Sequence, residues 1–239
     1  MGWHVRTHAT VALLLLSATL LPAGPSFAAV GLGGGADLYA GPEGQTNKDI
    51  LGFVSAGGAG GVVTGILSRY DSSNLGPGTT GSVVVGLPLT GGSFVQFAGI
   101  RSVGDEIYRA WRLAFGPVIA LGAGRSLGIV LSHTEENVGS KLTTITSEYS
   151  VPLSRSVGGV ARGSFSSVEG GGSAYQAVLG MTWAASKRLQ AYGELGMGRD
   201  VVTSIQPDGT LEPSFGPAEA ATTYLSGASI TTGLRYTLR

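Results

Sequence analysis

Few residues in this chain can do acid–base or nucleophilic chemistry. Three histidines occur, His4, His8 and His133, and the first two fall in a stretch that reads as a removable leader. A serine–histidine hydrolase would therefore have to use His133, with a serine oxygen in reach of its ring. Ser132 precedes it directly, so in an extended strand the two point to opposite walls. The same-wall neighbours are Leu131 and Glu135, so the position two residues on, where a nucleophile would share the face, holds a carboxylate. Ser147 is a cross-strand alternative that no pattern singles out. With no cysteine there are neither disulfides nor thiolate metal sites. Glu135, Glu136, Glu169 and Asp200 are spaced like solvent-facing loop charges, and no metal site is expected. Gly33–Gly35 and Gly57–Gly61 are not followed by a helix, so they are not phosphate cradles. Catalysis and cofactors are not expected.

A second set of polar residues sits inside apolar stripes. Arg112, Glu148, Arg162, Tyr192, Glu194 and Arg235 each stand in mid-stripe, in phase with small residues. The charges alternate in sign along the chain. If neighbouring stripes are neighbours in space, these residues can pair across them, or can line a passage and select what moves through it.

The stripes themselves are clearest from 109 to 199. In 109–121 the odd positions are Trp111, Leu113, Phe115, Pro117, Ile119 and Leu121, against Ala110, Arg112, Ala114 and Gly116. Ile145, Tyr149, Val151 and Leu153 oppose Thr144, Thr146, Glu148 and Ser150. Tyr175, Ala177, Leu179, Met181 and Trp183 oppose Gln176, Gly180 and Thr182. Alternation of this kind is a strand with one oily and one small-polar wall. About twelve strands are expected: 30–39, 50–56, 62–70, 82–89, 93–103, 109–121, 126–136, 141–153, 157–168, 173–185, 188–199 and 224–238. The inside–outside phase of the segments between 50 and 103 is not legible.

Connections alternate between tight (122–125, 153–156, 185–188) and longer, more polar ones (41–49, 71–80, 136–141, 168–173, 200–222). Strands of about ten residues with short turns at one end and long loops at the other describe an outer-membrane β-barrel. An even strand count puts both chain ends on the short-turn side.

At the N-terminus, His4, Arg6 and His8 precede an apolar run over 11–21, and Ser26-Phe27-Ala28 follows. This predicts a signal peptide over 1–28 cleaved before Ala29. The run is shorter than the roughly 20 residues of a spanning helix. The exported remainder, 29–239, is then soluble or a barrel, since lipid demands that every backbone polar group be paired. Zero formal net charge and a 13% charged fraction argue against nucleic acid as a partner.

Trp111, Tyr149, Tyr175, Trp183, Tyr224 and Tyr236 fall on the oily wall near strand ends, as an aromatic girdle would. The final strand, Thr231-x-Gly233-x-x-Tyr236-x-Leu238, is similar to the C-terminal signal read by the barrel-assembly machinery, although Arg239 follows and no terminal aromatic does.

Residues 93–200 also resemble the barrel strands of fimbrial ushers. Phe115-Gly116, Gly124-Arg125-Ser126-Leu127-Gly128, Leu131-Ser132-His133, Glu148-Tyr149-Ser150-Val151-Pro152-Leu153-Ser154-Arg155, Leu179-Gly180-Met181 and Lys187-Arg188 carry the resemblance. It implies an outer-membrane pore that exports pilus subunits. The chain has no room for an usher's plug or periplasmic domains, and its barrel would have about half the usher strand number. The reading is thus an antiparallel up-and-down transmembrane barrel in the outer membrane, serving as passive pore or usher-like translocation barrel. An outer-membrane lipid hydrolase and a soluble secreted β-sandwich adhesin are the alternatives.

Overall fold

Alternating small and large side chains build one continuous antiparallel sheet. The computed structural model describes residues 3–6, 29–41, 46–58, 60–72, 76–102, 109–137, 141–169, 172–205 and 222–238. Its strands are β1 (Trp3–Arg6), β2 (Ala29–Ala40), β3 (Thr46–Gly58), β4 (Gly61–Ser72), β5 (Gly76–Pro88), β6 (Ser93–Ser102), β7 (Arg109–Gly122), β8 (Arg125–Glu136), β9 (Lys141–Pro152), β10 (Val157–Val168), β11 (Ser173–Ala184), β12 (Leu189–Ile205) and β13 (Thr222–Leu238). From β2 to β13 each strand pairs with the next in sequence. The last returns to the first, from Leu238↔Val30 to Ala228↔Ala40. Among the described residues, twelve strands therefore close an up-and-down barrel. The four-residue β1 lies outside the closure, paired with Val202–Ile205 of β12.

Closure leaves the sheet with an inside and an outside, and the chain fills them differently. On β7 the burial alternates from Arg109 onward, with Ala110, Arg112 and Ala114 covered and Trp111, Leu113 and Phe115 open. Ile145, Leu179, Met181, Leu195 and Leu234 are likewise exposed on the outer wall. Burial here means facing the barrel interior, because the sheet has no second layer.

The register also settles the phase of the early strands. Ile50 and Val54 face out, whereas Leu51 and Phe53 face in. With Ile66, Val84 and Ala98 they form an apolar cluster on the interior wall. Both walls are apolar there, which is why alternation carried no signal.

Three connections are shorter than their polarity suggested. β3 already begins at Thr46, β4 and β5 leave only 73–75 between them, and β12 runs on to Ile205. Beyond the oily belt both faces of a strand turn polar, so it reads as a loop in composition while its backbone still pairs. Lys48 and Asp71 face one another directly across the ladder in that polar extension.

Candidate functional site

The interior is where the polar residues converge. Arg162 on β10 is the hub: its Nε donates to Glu148 Oε2 on β9 at 2.8 Å. Its other two nitrogens donate to the two carboxylate oxygens of Glu194 on β12, each at 3.3 Å. Glu148 is the direct register partner of Arg162, but Glu194 lies two strands away. The intervening strand β11 lets the side chains meet because it presents Gly180 opposite Glu194. A Cβ on Gly180 would stand 2.8 Å from both Glu194 Cγ and Val160 Cγ1. A cation held between two carboxylates in fork geometry is a strong charge-assisted arrangement.

The polar wall continues beyond Glu194. Its register partner on β13 is Thr231, whose hydroxyl donates to Asp37 Oδ1 on β2 at 2.7 Å. Asp37 in turn faces Asp49 on β3. Tyr192 lies across the glycines of the neighbouring strands: a Cβ on Gly35 would sit 2.6 Å from its hydroxyl. Arg235 reaches over Gly31, where Ser55 also projects. The bare glycine face of β2 thus gives bulky interior side chains a floor.

Arg112 stands apart from this network. It is 3% exposed, with Ala98 and Thr134 as its register neighbours on β6 and β8. None of its three guanidinium nitrogens has a hydrogen-bond partner among the described residues. Gln96 Oε1, on the next inward position of β6, is buried and unsatisfied as well.

Of the six polar residues singled out above, Glu148, Arg162 and Glu194 are brought into direct contact, while Arg112 is not joined to them. Sequence reasoning missed Asp49 and Glu136, which are buried at 2% and 4% exposure. Both were read as loop residues; their spacing from Leu51 and Phe53, and from Thr134 and Ser132, was the available signal.

The outer wall carries the aromatics. Trp183 and Tyr175 are 55% exposed, Trp111 and Tyr236 37%. Tyr149 is half-buried, and the Tyr224 side chain lies outside the described residues. Trp111 and Tyr175 sit toward the loop end; Tyr149, Trp183 and Tyr236 sit toward the turn end. In the last strand Thr231 is buried on the interior, while Tyr236 and Leu238 face out. His133 is on the outer wall, its ring 5.6 Å from that of Trp111 at a 55° tilt. Its Nδ1 is 3.4 Å from Thr143 Oγ1. Ser147 lies four residues further along β9, about 13 Å away at strand rise, which is out of reach of the ring.

A closed antiparallel barrel of this kind is a fold that solved porins and outer-membrane channels share. No protein-family profile matches the chain, and no curated protein does. Among solved structures, the barrel is similar to the KdgM porin, with a TM-score of 0.57 at 10% identity over 87% of this chain and 99% of that one. It is similar to the NanC porin to the same degree, 0.57 and 10%, over 87% and 100%. The COG4313 outer membrane channel from Pseudomonas putida F1 follows with 0.54 and 10%, over 90% and 97%. At such identities the likeness is one of fold.

Proposed function

We propose that the chain is an integral outer-membrane barrel that acts as a passive pore for small polar solutes. One observation carries this reading: a closed cylinder turns a belt of large apolar side chains outward, among them Trp111, Leu113, Phe115, Leu179 and Trp183, and turns its mid-strand charges Arg112, Arg162 and Glu194 inward. Water cannot favour that arrangement, since an exposed apolar surface of this extent marks a lipid or partner interface. Hydrocarbon can, because a charge on the lipid side costs about 2–4 kcal/mol at mid-depth. The arrangement speaks against a soluble sandwich adhesin, which would bury the oily wall between layers. The porin fold of the similar structures supports the same reading.

Usher-like translocation is the finer alternative, and it rests on the turn and strand residues of 93–200. A twelve-strand barrel is narrower than the roughly 16–18 strands that leave a wide aqueous channel. Interior side chains fill part of it, so small solutes fit the lumen better than pilus subunits. For residues 1–28 we infer a cleaved leader, supported by a first barrel strand that opens at Ala29. The β1 strand would leave with it, and N-terminal sequencing of the extracted protein is expected to begin at Ala29. Thr231, Gly233, Tyr236 and Leu238 would then meet the barrel-assembly machinery during insertion.

The functional test is planar-bilayer conductance of the purified protein. Stepwise conductance whose ion selectivity moves toward cations on neutralising Arg112 and Arg162 together is expected. Conductance indifferent to that double change rejects a lumen that selects by these charges, and no conductance rejects the open pore.

A further inference from the structure

The two rims of the barrel carry charge differently. At the loop rim cations and acids are interleaved: Lys141 lies 3.8 Å from Glu135 and 3.5 Å from Glu169. The turns at the other rim carry no acidic side chain. The five turns, 58–61, 88–93, 122–125, 153–156 and 185–188, contain no aspartate or glutamate. Three consecutive ones carry Arg125, Arg155, Lys187 and Arg188, all exposed. The other two carry no ionisable side chain. The rim is therefore a cationic arc on one side, not a ring.

Two of these turns share one construction. Ser154 Oγ accepts from the amides of Ser156 and Val157 at 3.3 and 3.1 Å. Ser186 Oγ accepts from Arg188 and Leu189 at 3.1 and 3.0 Å. Each serine fixes its turn and places a cation, Arg155 or Lys187, directly after it. The turns are two strands apart, so the cations repeat at about 10 Å around the rim. Immediately beneath them the outer wall is oily: Leu121, Leu153 and Trp183 are 52%, 58% and 55% exposed. Charged tips above an apolar and aromatic wall mark the depth of lipid headgroups.

We propose that this arc binds the anionic headgroups of phospholipids in the turn-side leaflet, against the β7–β12 half of the barrel. The inference rests on the membrane reading above. Its ligand is a phosphate-bearing lipid carrying net negative charge. Continuity of the arc with the oily wall favours a lipid over an acidic protein. Each cation near an anionic surface favours binding by about fivefold at low salt, and screening weakens this as salt rises.

The test folds the full mature chain into vesicles of phosphatidylcholine with and without phosphatidylglycerol, then extracts it gently and measures retained lipid by native mass spectrometry. A band shift between boiled and unboiled samples reports insertion separately. The wild type is expected to insert in both vesicles and to retain phosphatidylglycerol over phosphatidylcholine by tenfold or more at low salt. That preference should collapse in high salt and in the fourfold variant Arg125→Gln, Arg155→Gln, Lys187→Gln, Arg188→Gln. It should survive Lys141→Gln at the other rim combined with Arg69→Gln, an exposed cation near the loop end of β4. Insertion without lipid preference, or a preference that persists in the fourfold variant, overturns the arc and leaves the barrel reading intact. If that variant fails to insert, the salt series on the wild type decides. No insertion in either vesicle overturns the membrane reading and the arc with it.

Discussion

The two sides of the interior differ at mid-depth. From β9 to β13 the inward wall has an ionic centre, the Glu148–Arg162–Glu194 contact, with an apolar cluster of Leu142, Val168 and Ala174 toward the loop end. From β3 to β6 it includes an apolar cluster of Leu51, Phe53, Ile66, Val84 and Ala98. The contrast bears on register. A slip of one residue exchanges the two walls of a strand. At mid-strand on β3 that trades Leu51 and Phe53 for Ile50 and Val54, an exchange of oil for oil, and the inward phase is marked only by Asp49 and Ser55 to either side. On β10 it turns Arg162 into hydrocarbon, at a cost of about 2–4 kcal/mol. The ionic side therefore fixes its phase at mid-strand more firmly than the side that carries the apolar cluster.

This contrast can be broken from the ionic side with the largest effect. Arg162→Met leaves the buried Glu194 and the partly buried Glu148 without their shared cation and is expected to cost about 3–5 kcal/mol. Urea titration of the barrel in vesicles, followed by gel shift, measures it. A loss of less than about 1 kcal/mol would show the network to be no stronger than a surface pair. On the apolar side, Phe53→Ala should cost about 1.5–3 kcal/mol, in the same titration, and leave ion selectivity unchanged.

Gly180→Val sharpens the comparison further. Its side chain would collide with Glu194 and Val160, costing about 1–3 kcal/mol. In the Arg162→Met background the cost should shrink, since the geometry it disrupts is already gone; additive losses would place the role of Gly180 elsewhere. Arg112→Gln has the smallest expected effect on stability, between none and a gain of about 1 kcal/mol, because its guanidinium has no hydrogen-bond partner to lose among the described residues. Its mark should appear as a reversal-potential shift toward cations.

How far the sequence discloses this depends on whether the two walls differ. Most strands from 109 to 199 separate oily from small-polar residues, and there the strand positions and the inward phase of Arg112, Glu148 and Glu194 can be read directly, while Arg162 stands out as the one charge in mid-stripe of 157–168. Leu51, Phe53, Ile66 and Val84 erase the contrast between 50 and 103, so strands are visible and their phase is not. Pairing at a distance is hidden for another reason. Arg162 reaches Glu194 across β11 only because Gly180 has no side chain, a fact that emerges once register is known. Asp49 and Glu136 escaped because the polar strand ends beyond the oily belt look like loops in composition.

The account stands on hydrocarbon covering the outer wall. The expected mature chain has two tryptophans, Trp111 and Trp183, and both face outward. Fluorescence quenching by phospholipids brominated along their acyl chains tests the claim most directly. Strong quenching after insertion into brominated vesicles, absent with unbrominated lipid and lost on changing both tryptophans to phenylalanine, is predicted. Emission unaffected by the bromines would contradict it, since the oily wall would then be covered by something other than lipid.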